Sequence, residues 1–270
     1  MARILAISSQ VVRGHIGLSA AVPALQGLGH EVWPLPTILL SNHPGHAHGS
    51  GQRIEPEMLD QFIDALDRNG WLGEIDAVLT GYLPSPQHAE VAARTIRRLK
   101  SERPVYYLCD PVLGDEPKGL YIDATAAQAV RDGLVPLADA ITPNRFELGW
   151  LSSAPVSAEP YIQADALSPE TIIVTSAARR GHLLDNLMFS PEGTSQCTVA
   201  WHPDVPHGTG DFFAGLFLVH HLNGASNTEA LARSAAGVEQ AIAASAGRDE
   251  LILTPHQGWS TASPLSIEQL

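Results

Sequence analysis

The stretch "HGTGDFFAGLFLVHHL", residues 207–222, decides how this chain is read. Gly208, Thr209 and Gly210 form a turn that can point successive backbone N–H groups at one spot. The apolar run that follows has the length of a buried helix, and the positive end of that helix coincides with the turn. Together they make an anion site suited to a phosphate. Asp211 stands at the junction. On this stretch alone two readings are open: Asp211 caps the helix, or it acts on a bound substrate. The stretch is not a dinucleotide fingerprint, because Phe213 stands where a third glycine is needed, and the chain has no GxxxxGK[ST] loop.

The rest of the chain narrows the choice. It has 270 residues, 44% hydrophobic and 17% charged, enough for a sizeable core. The formal net charge is -13 and there is no block of Lys and Arg. The densest basic spot, Arg94 to Arg103, reads as one exposed helix face. This balance argues against binding a nucleic-acid backbone. The apolar run in "MARILAISSQ" is too short for a signal-peptide core or a membrane span. The two cysteines, Cys109 and Cys197, lie in strand-like contexts and read as reduced, buried thiols, which points to a cytoplasmic protein.

Short apolar runs alternate with helical stretches. Strands are predicted at "RILAIS" (3–8), "DAVLTG", "PVYYLCDP", "ADAITPN" and "TIIVTS", with "EVWPL" and "TILLS" as two short strands around Pro34 and Pro36. Helices are predicted near 18–28, disturbed by Pro23, and over 55–70, 85–100, 124–134, from Asn144, 210–222 and 227–246. "HLLDNLM" and "QCTVAW" read as a hairpin. This order predicts a mainly parallel sheet with helices on both faces, in a single domain over 1–270.

In such sheets ligands sit beyond the carboxyl ends of the strands. Ser8 and Ser9, Thr80-Gly81-Tyr82, Asp110, Thr142-Pro143-Asn144 and Thr175-Ser176 all fall there. Phosphoryl transfer gives each part a task. Amides neutralise charge on the moving group, a carboxylate orients and deprotonates the acceptor hydroxyl, and a divalent ion holds the remaining phosphates. A helix N-terminus is expected to keep Asp211 ionised for that purpose. Asp110 in "LCDPVLG" and Glu147 in "TPNRFELGWL" suit Mg²⁺. Each also has a plainer reading, as a strand-end turn with Pro111 and as a first-turn glutamate.

With "AISSQVVRGHIGLSAA", "WPLPTILLSNH", "LTGYL", "CDPVLG", "ITPNRFEL" and "GTGDFFAGL" in this order, the chain resembles the pyridoxal kinases of the ribokinase-like superfamily, nearly end to end. The resemblance implies a three-layer α/β/α ribokinase-like fold. It implies transfer of the ATP γ-phosphate to the 5′-hydroxymethyl group of a B6 vitamer. Asp211 would be the catalytic base, with the Gly208, Thr209 and Gly210 turn as anion hole. Asp110 and Glu147 would act on metal and phosphates, Glu147 through water. Ser9 would bind the pyridine ring, with His43 and Tyr82 lining the pocket. Thr142, Asn144, Thr175 and Ser176 would lie on the nucleotide side. The family also implies Mg²⁺, a monovalent cation such as K⁺, and a homodimer.

Three features depart from the family pattern. Pro44 stands where relatives carry threonine, Thr175 where some bacterial relatives carry lysine, and the segment between "VTS" and the Gly-rich turn is short. Pyridoxal, pyridoxine, pyridoxamine or a hydroxymethylpyrimidine each remain as acceptor, so a hydroxymethylpyrimidine kinase is the nearest alternative. A non-catalytic vitamer-binding regulator on the same scaffold is a second. In "NHPGHAHGSG", His43, His46 and His48 have no HExxH spacing and no acidic ligand beside them in sequence. The loop therefore reads as a mobile substrate cover rather than a zinc site. His220 and His221, adjacent on a helix, point in different directions and read as helix-end polar groups. Tyr121, after "EPKGL", fits either a loop closing over ATP or an exposed-loop residue.

Overall fold

The computed structural model describes residues 1–155, 157–254 and 258–270. Strand β1 (Arg3–Val11) lies inside the main sheet, third from one edge, and shows why the chain folds in layers. Successive side chains of a strand face opposite ways. Ile4 and Ala6 join one apolar cluster, and Leu5 and Ile7 the other. Both faces are apolar, so both must be covered.

Six strands pair in parallel: β9 (Thr171–Arg180), β8 (Ala140–Ile141), β5 (Tyr106–Cys109), β4 (Ala77–Thr80), β1 and β2 (Glu31–Leu40). One edge is extended by antiparallel β3 (Gly51–Arg53). The other is extended by the antiparallel strands β10 (Leu183–Ser190), β11 (Gly193–Ala200) and β12 (Glu268–Gln269). The sheet is mainly parallel with antiparallel fringes. The predicted hairpin is β10–β11.

Helices α2 (Pro56–Arg68), α3 (Pro86–Glu102), α4 (Ala124–Gly133) and α5 (Arg145–Leu151) supply Leu59, Ile96, Val130 and Leu148 to one face. Helices α1 (Leu18–Gly27), α7 (Thr209–Leu222) and α8 (Asn227–Ala244) supply Leu25, Phe217 and Leu231 to the other. Each such buried side chain contributes roughly 2 kcal/mol. Ser85 caps α3 as expected, its Oγ accepting from the His88 N–H, with Pro86 at the first position. The basic face of α3 is neutralised locally: Arg94 pairs with Asp60, Arg98 with Asp67, and Arg103 with Asp76. No described helix is long and apolar enough to cross a membrane.

"EVWPLPTILL" is one continuous strand, not two. Pro34 and Pro36 are tolerated because β3 pairs only with Ile38 to Leu40, leaving the earlier outer side of β2 as a free edge. Pro23 lies inside an unbroken α1. Beyond the sequence reading, the structure adds β3, β12, the helix α6 (Pro160–Asp165) and a small ribbon of β6 (Gly114–Asp115) with β7 (Gly119–Leu120).

Candidate active site

The Gly-rich turn opens α7 as expected. Gly208 is the N-cap residue with φ 99°, and a Cβ there would lie 1.7 Å from the backbone oxygen of His15. Only glycine fits that turn. Asp211 is in the first turn of α7 and is not its cap. The reading of Asp211 as the cap is therefore closed; its carboxyl faces the Gly17 N–H instead.

That carboxyl lines a narrow cleft with Ser8, Gly17, Thr80, Gly81 and Asp110, at the carboxyl ends of β1, β4 and β5. Gly81 approaches closely: a Cβ there would meet Ser8 Oγ at 2.4 Å and Asp211 Oδ1 at 3.9 Å. Ser8 Oγ accepts from the Tyr82 N–H at 2.9 Å, which ties β1 to the end of β4. Ser9 is buried under Gly17, whose Cβ position is 2.3 Å from the Ser9 Oγ. Of the two serines at this strand end, Ser8 lines the cleft. The Tyr82 ring is half-buried against the apolar layer of α2 and α3.

Asp110 follows β5 directly and accepts from Thr142 Oγ1 at 2.9 Å. Glu147 is more constrained. Its Oε2 accepts from the Asn144 N–H at 2.8 Å, while the Glu147 N–H donates to Asn144 Oδ1 at 2.9 Å, a capping box at the start of α5. Its Oε1 accepts from the Leu113 N–H at 2.9 Å. The plainer reading of Glu147 thus holds structurally, and it anchors the β6–β7 ribbon beside the cleft. Asn144 Nδ2 donates to the Gly114 backbone oxygen at 2.8 Å, so this side chain is used within the protein. Thr175 is bridged to Asn144 across the parallel sheet. Ser176 follows with φ 52°, and its N–H donates to Asn186 Oδ1 at 3.0 Å.

The electrostatics of the cleft are those of crowded, buried acids. Burial pushes Asp110 well above the usual carboxylate range, and Asp211 and Glu147 push it further. Burial raises Glu147 to about 8 against the pull of its backbone donors. Asp211 is raised to about 6 by burial, opposed by the Gly17 N–H. Desolvation is the larger influence on Asp211, yet a carboxyl raised only to about 6 is still mostly ionised at pH 7, the state expected of it. No basic side chain among the described residues enters the surroundings that shift these three acids.

His43 belongs to a second cluster. Its ring stacks on His207, with centroids 3.7 Å apart. His46 Nε2 lies 3.0 Å from Glu250 Oε1, and Arg13 pairs with Glu250 and Asp249 at 3.0 and 2.8 Å. The loop is therefore held to the far end of the chain, and His46 does have acidic neighbours. Sequence gave no signal for these contacts, because Glu250 is some 200 residues away. His207, directly before Gly208, belongs to no motif of its own, and only its place beside the Gly-rich turn marks it in the sequence. His221 stacks on Tyr106 at 4.1 Å, a packing role. The Tyr121 ring is capped by Lys118 Nζ at 6.0 Å on the ribbon turn.

This combination of layered sheet, Gly-rich turn and acidic cleft is that of a ribokinase-like phosphotransferase. The model of the phosphomethylpyrimidine kinase family matches residues 17–253, and the chain belongs to that family. Its relatives include a pyridoxal kinase PdxY of Corynebacterium diphtheriae, 35% identical over 87% of this chain and 86% of that one. A pyridoxal kinase PdxY of Leifsonia xyli is 36% identical over 94% of each chain. Among solved structures, the pyridoxal kinase of Leishmania donovani in complex with ADP and pyridoxamine superposes with a TM-score of 0.90 at 26% identity, covering both chains completely.

Proposed function

We propose that this chain, as one kinase domain, transfers the γ-phosphoryl group of ATP to the 5′-hydroxymethyl group of a B6 vitamer. The observation that carries the reading is Asp211. It is a half-buried carboxyl raised to about 6, sits in the first turn of α7 and shares a cleft with Asp110. A base poised near neutrality is what deprotonation of an alcohol asks for. The carboxylate takes the hydroxyl proton as the new O–P bond forms. The bond from the γ-phosphorus to its bridging oxygen breaks, and its electron pair leaves with ADP. The N–H groups of the Gly208, Thr209 and Gly210 turn face the charge on the transferring group.

Mg²⁺ fits the donor set. Asp110, Glu147 and Asp211 offer only oxygen, and their raised pKa values mark a centre short of positive charge. Asp110 would hold the ion directly. Glu147, with both oxygens already accepting backbone N–H groups, would reach it through water. The ion would supply charge neutralisation at the phosphates. Thr142 orients Asp110. Asn144, Thr175 and Ser176 shape the nucleotide side through backbone geometry. Ser8, His43 and Tyr82 would lie around the acceptor ring, with Ser9 buried behind Gly17. Two free, buried cysteines fit a reducing, cytoplasmic setting. A homodimer, as the resemblance implies, belongs to the same proposal.

A second reading is favoured by one finding: the matching family model is that of phosphomethylpyrimidine kinase. The experiment incubates the protein with Mg-ATP and, separately, pyridoxal, pyridoxine, pyridoxamine and hydroxymethylpyrimidine, and measures ADP and phosphorylated product. ADP in step with a vitamer 5′-phosphate is expected. Turnover of hydroxymethylpyrimidine alone would replace this reading with the second. Vitamer binding with no turnover would make the protein a regulator.

A further inference from the structure

His207 takes no part in the phosphoryl transfer above, yet it lies face to face with His43. The ring planes are 17° apart and the centroids 3.7 Å. The two come from distant segments, His43 from the loop between β2 and β3, and His207 from the residue before the α7 N-cap. The stack is thus a direct contact between the loop over the acceptor and the anion-binding turn. His43 is oriented from its own loop as well: its Nδ1 accepts from the Gly45 N–H at 3.0 Å.

The far end of the loop is held separately. His46, Asp249 and Glu250 gather like ligands for a metal ion, but Arg13 already pairs with both carboxylates. That group is an ion-pair latch. A cavity of about 280 Å³ borders both His43 and His207 and is lined further by Asp204, Arg248 and Asp249. The loop has room to swing away if the stack is lost.

We infer that His207 is a positioning residue: by stacking on His43 it docks the acceptor loop against the anion-binding turn and sets the affinity for the heterocyclic substrate. This rests on the kinase reading above. The protonation states agree with it. Burial lowers His43 to about 4, and His207, His46 and Lys118 add to the shift. His207, exposed on its outer face, is also lowered, by partial desolvation first and Lys118 next, against Asp115 and Glu250. Both rings are neutral at pH 7 and can lie flat together. Acid puts charge between them and weakens the docking.

The test is steady-state kinetics with the vitamer varied at saturating ATP. His207→Ala is expected to raise KM about fivefold, the size of one aromatic stack, with kcat nearly unchanged. His207→Phe keeps a flat ring and restores KM. In a His43→Ala background, His207→Ala adds no further rise. An unchanged KM in His207→Ala, or a fall in kcat shared by the Ala and Phe variants, overturns the inference. A ligand-free arm follows the imidazole titration of His43 by NMR. It is expected to move toward the ordinary histidine range in His207→Ala, and an unmoved midpoint overturns the inference whatever the kinetics. A natural protein without turnover counts against the kinase reading alone, and the NMR arm then decides this one.

Discussion

Two titratable clusters flank the Gly-rich turn that opens α7, and desolvation moves them in opposite directions. In the cleft, Asp110, Glu147 and Asp211 are pushed up, the last two to about 8 and 6. On the rim, His43 is pushed down to about 4, and His207 is lowered. Both shifts have desolvation as the first cause, because burial disfavours whichever form is charged. The difference lies in what each cluster still needs. The rim is complete within the chain: its rings are neutral and stacked, and its acids are paired with Arg13. The cleft is short of positive charge, which a phosphate-bound cation would bring. On the function proposed above, the rim would hold a loop and the cleft would receive ligands.

The largest effect that separates them should come from Gly208→Ala. A Cβ would collide with the His15 oxygen, so the turn must open and its N–H groups turn away. Turnover is expected to fall about a thousandfold, as when an oxyanion donor is lost, while melting shows a folded protein. Retained turnover would remove the anion hole from the account.

Glu147→Ala comes next. It leaves the N–H groups of Asn144 and Leu113 without their acceptor, so chemical denaturation should show a loss of roughly 2–4 kcal/mol. A loss under about 0.5 kcal/mol would mean that water replaces the carboxylate without cost.

The two clusters also set opposite pH slopes on the ligand-free protein. The folded pKa of Glu147 is raised, so the stability it contributes is present below its unfolded pKa near 4.5 and is lost as pH rises toward 8. The folded pKa of His43 is depressed, so its contribution is present above its unfolded value near 6.5 and is lost as pH falls toward 4. Thermal melting across pH 4–8.5 should therefore peak between these limbs. Mg²⁺ with nucleotide should flatten the alkaline limb and leave the acid limb in place. Flattening of both limbs would show that the clusters are not separate.

The smallest effect belongs to the latch. Arg13 is more than half exposed, so Arg13→Ala should leave thermal melting nearly unchanged and change the vitamer KM about twofold. A tenfold change would make the latch, rather than the His43–His207 stack, the main hold on the loop.

Much of this was legible in the sequence, for physical reasons. Parallel strands buried on both faces read as unbroken apolar runs, and strand ends stop at polar residues such as Thr80 and Asp110. The Gly-rich turn carried its own logic, since Gly208 needs a positive φ and nothing else fits beside His15. Other features depended on partners far along the chain. The continuity of β2 through Pro34 and Pro36 comes from its edge position. β3 and the β6–β7 ribbon are too short to show a period of two. The pKa of Asp211 depends on how deeply α7 is covered, which its first turn does not reveal. The partners of His46 come from the other end of the chain, beyond the reach of local pattern.

The most direct test of the central claim is Asp211→Asn in a single-turnover experiment with Mg-ATP and pyridoxal. The carboxylate should be needed for the proton and not for binding. The account predicts that the variant binds both ligands with near-normal affinity and forms the 5′-phosphate roughly a thousandfold more slowly. Product formation at the natural rate would contradict it.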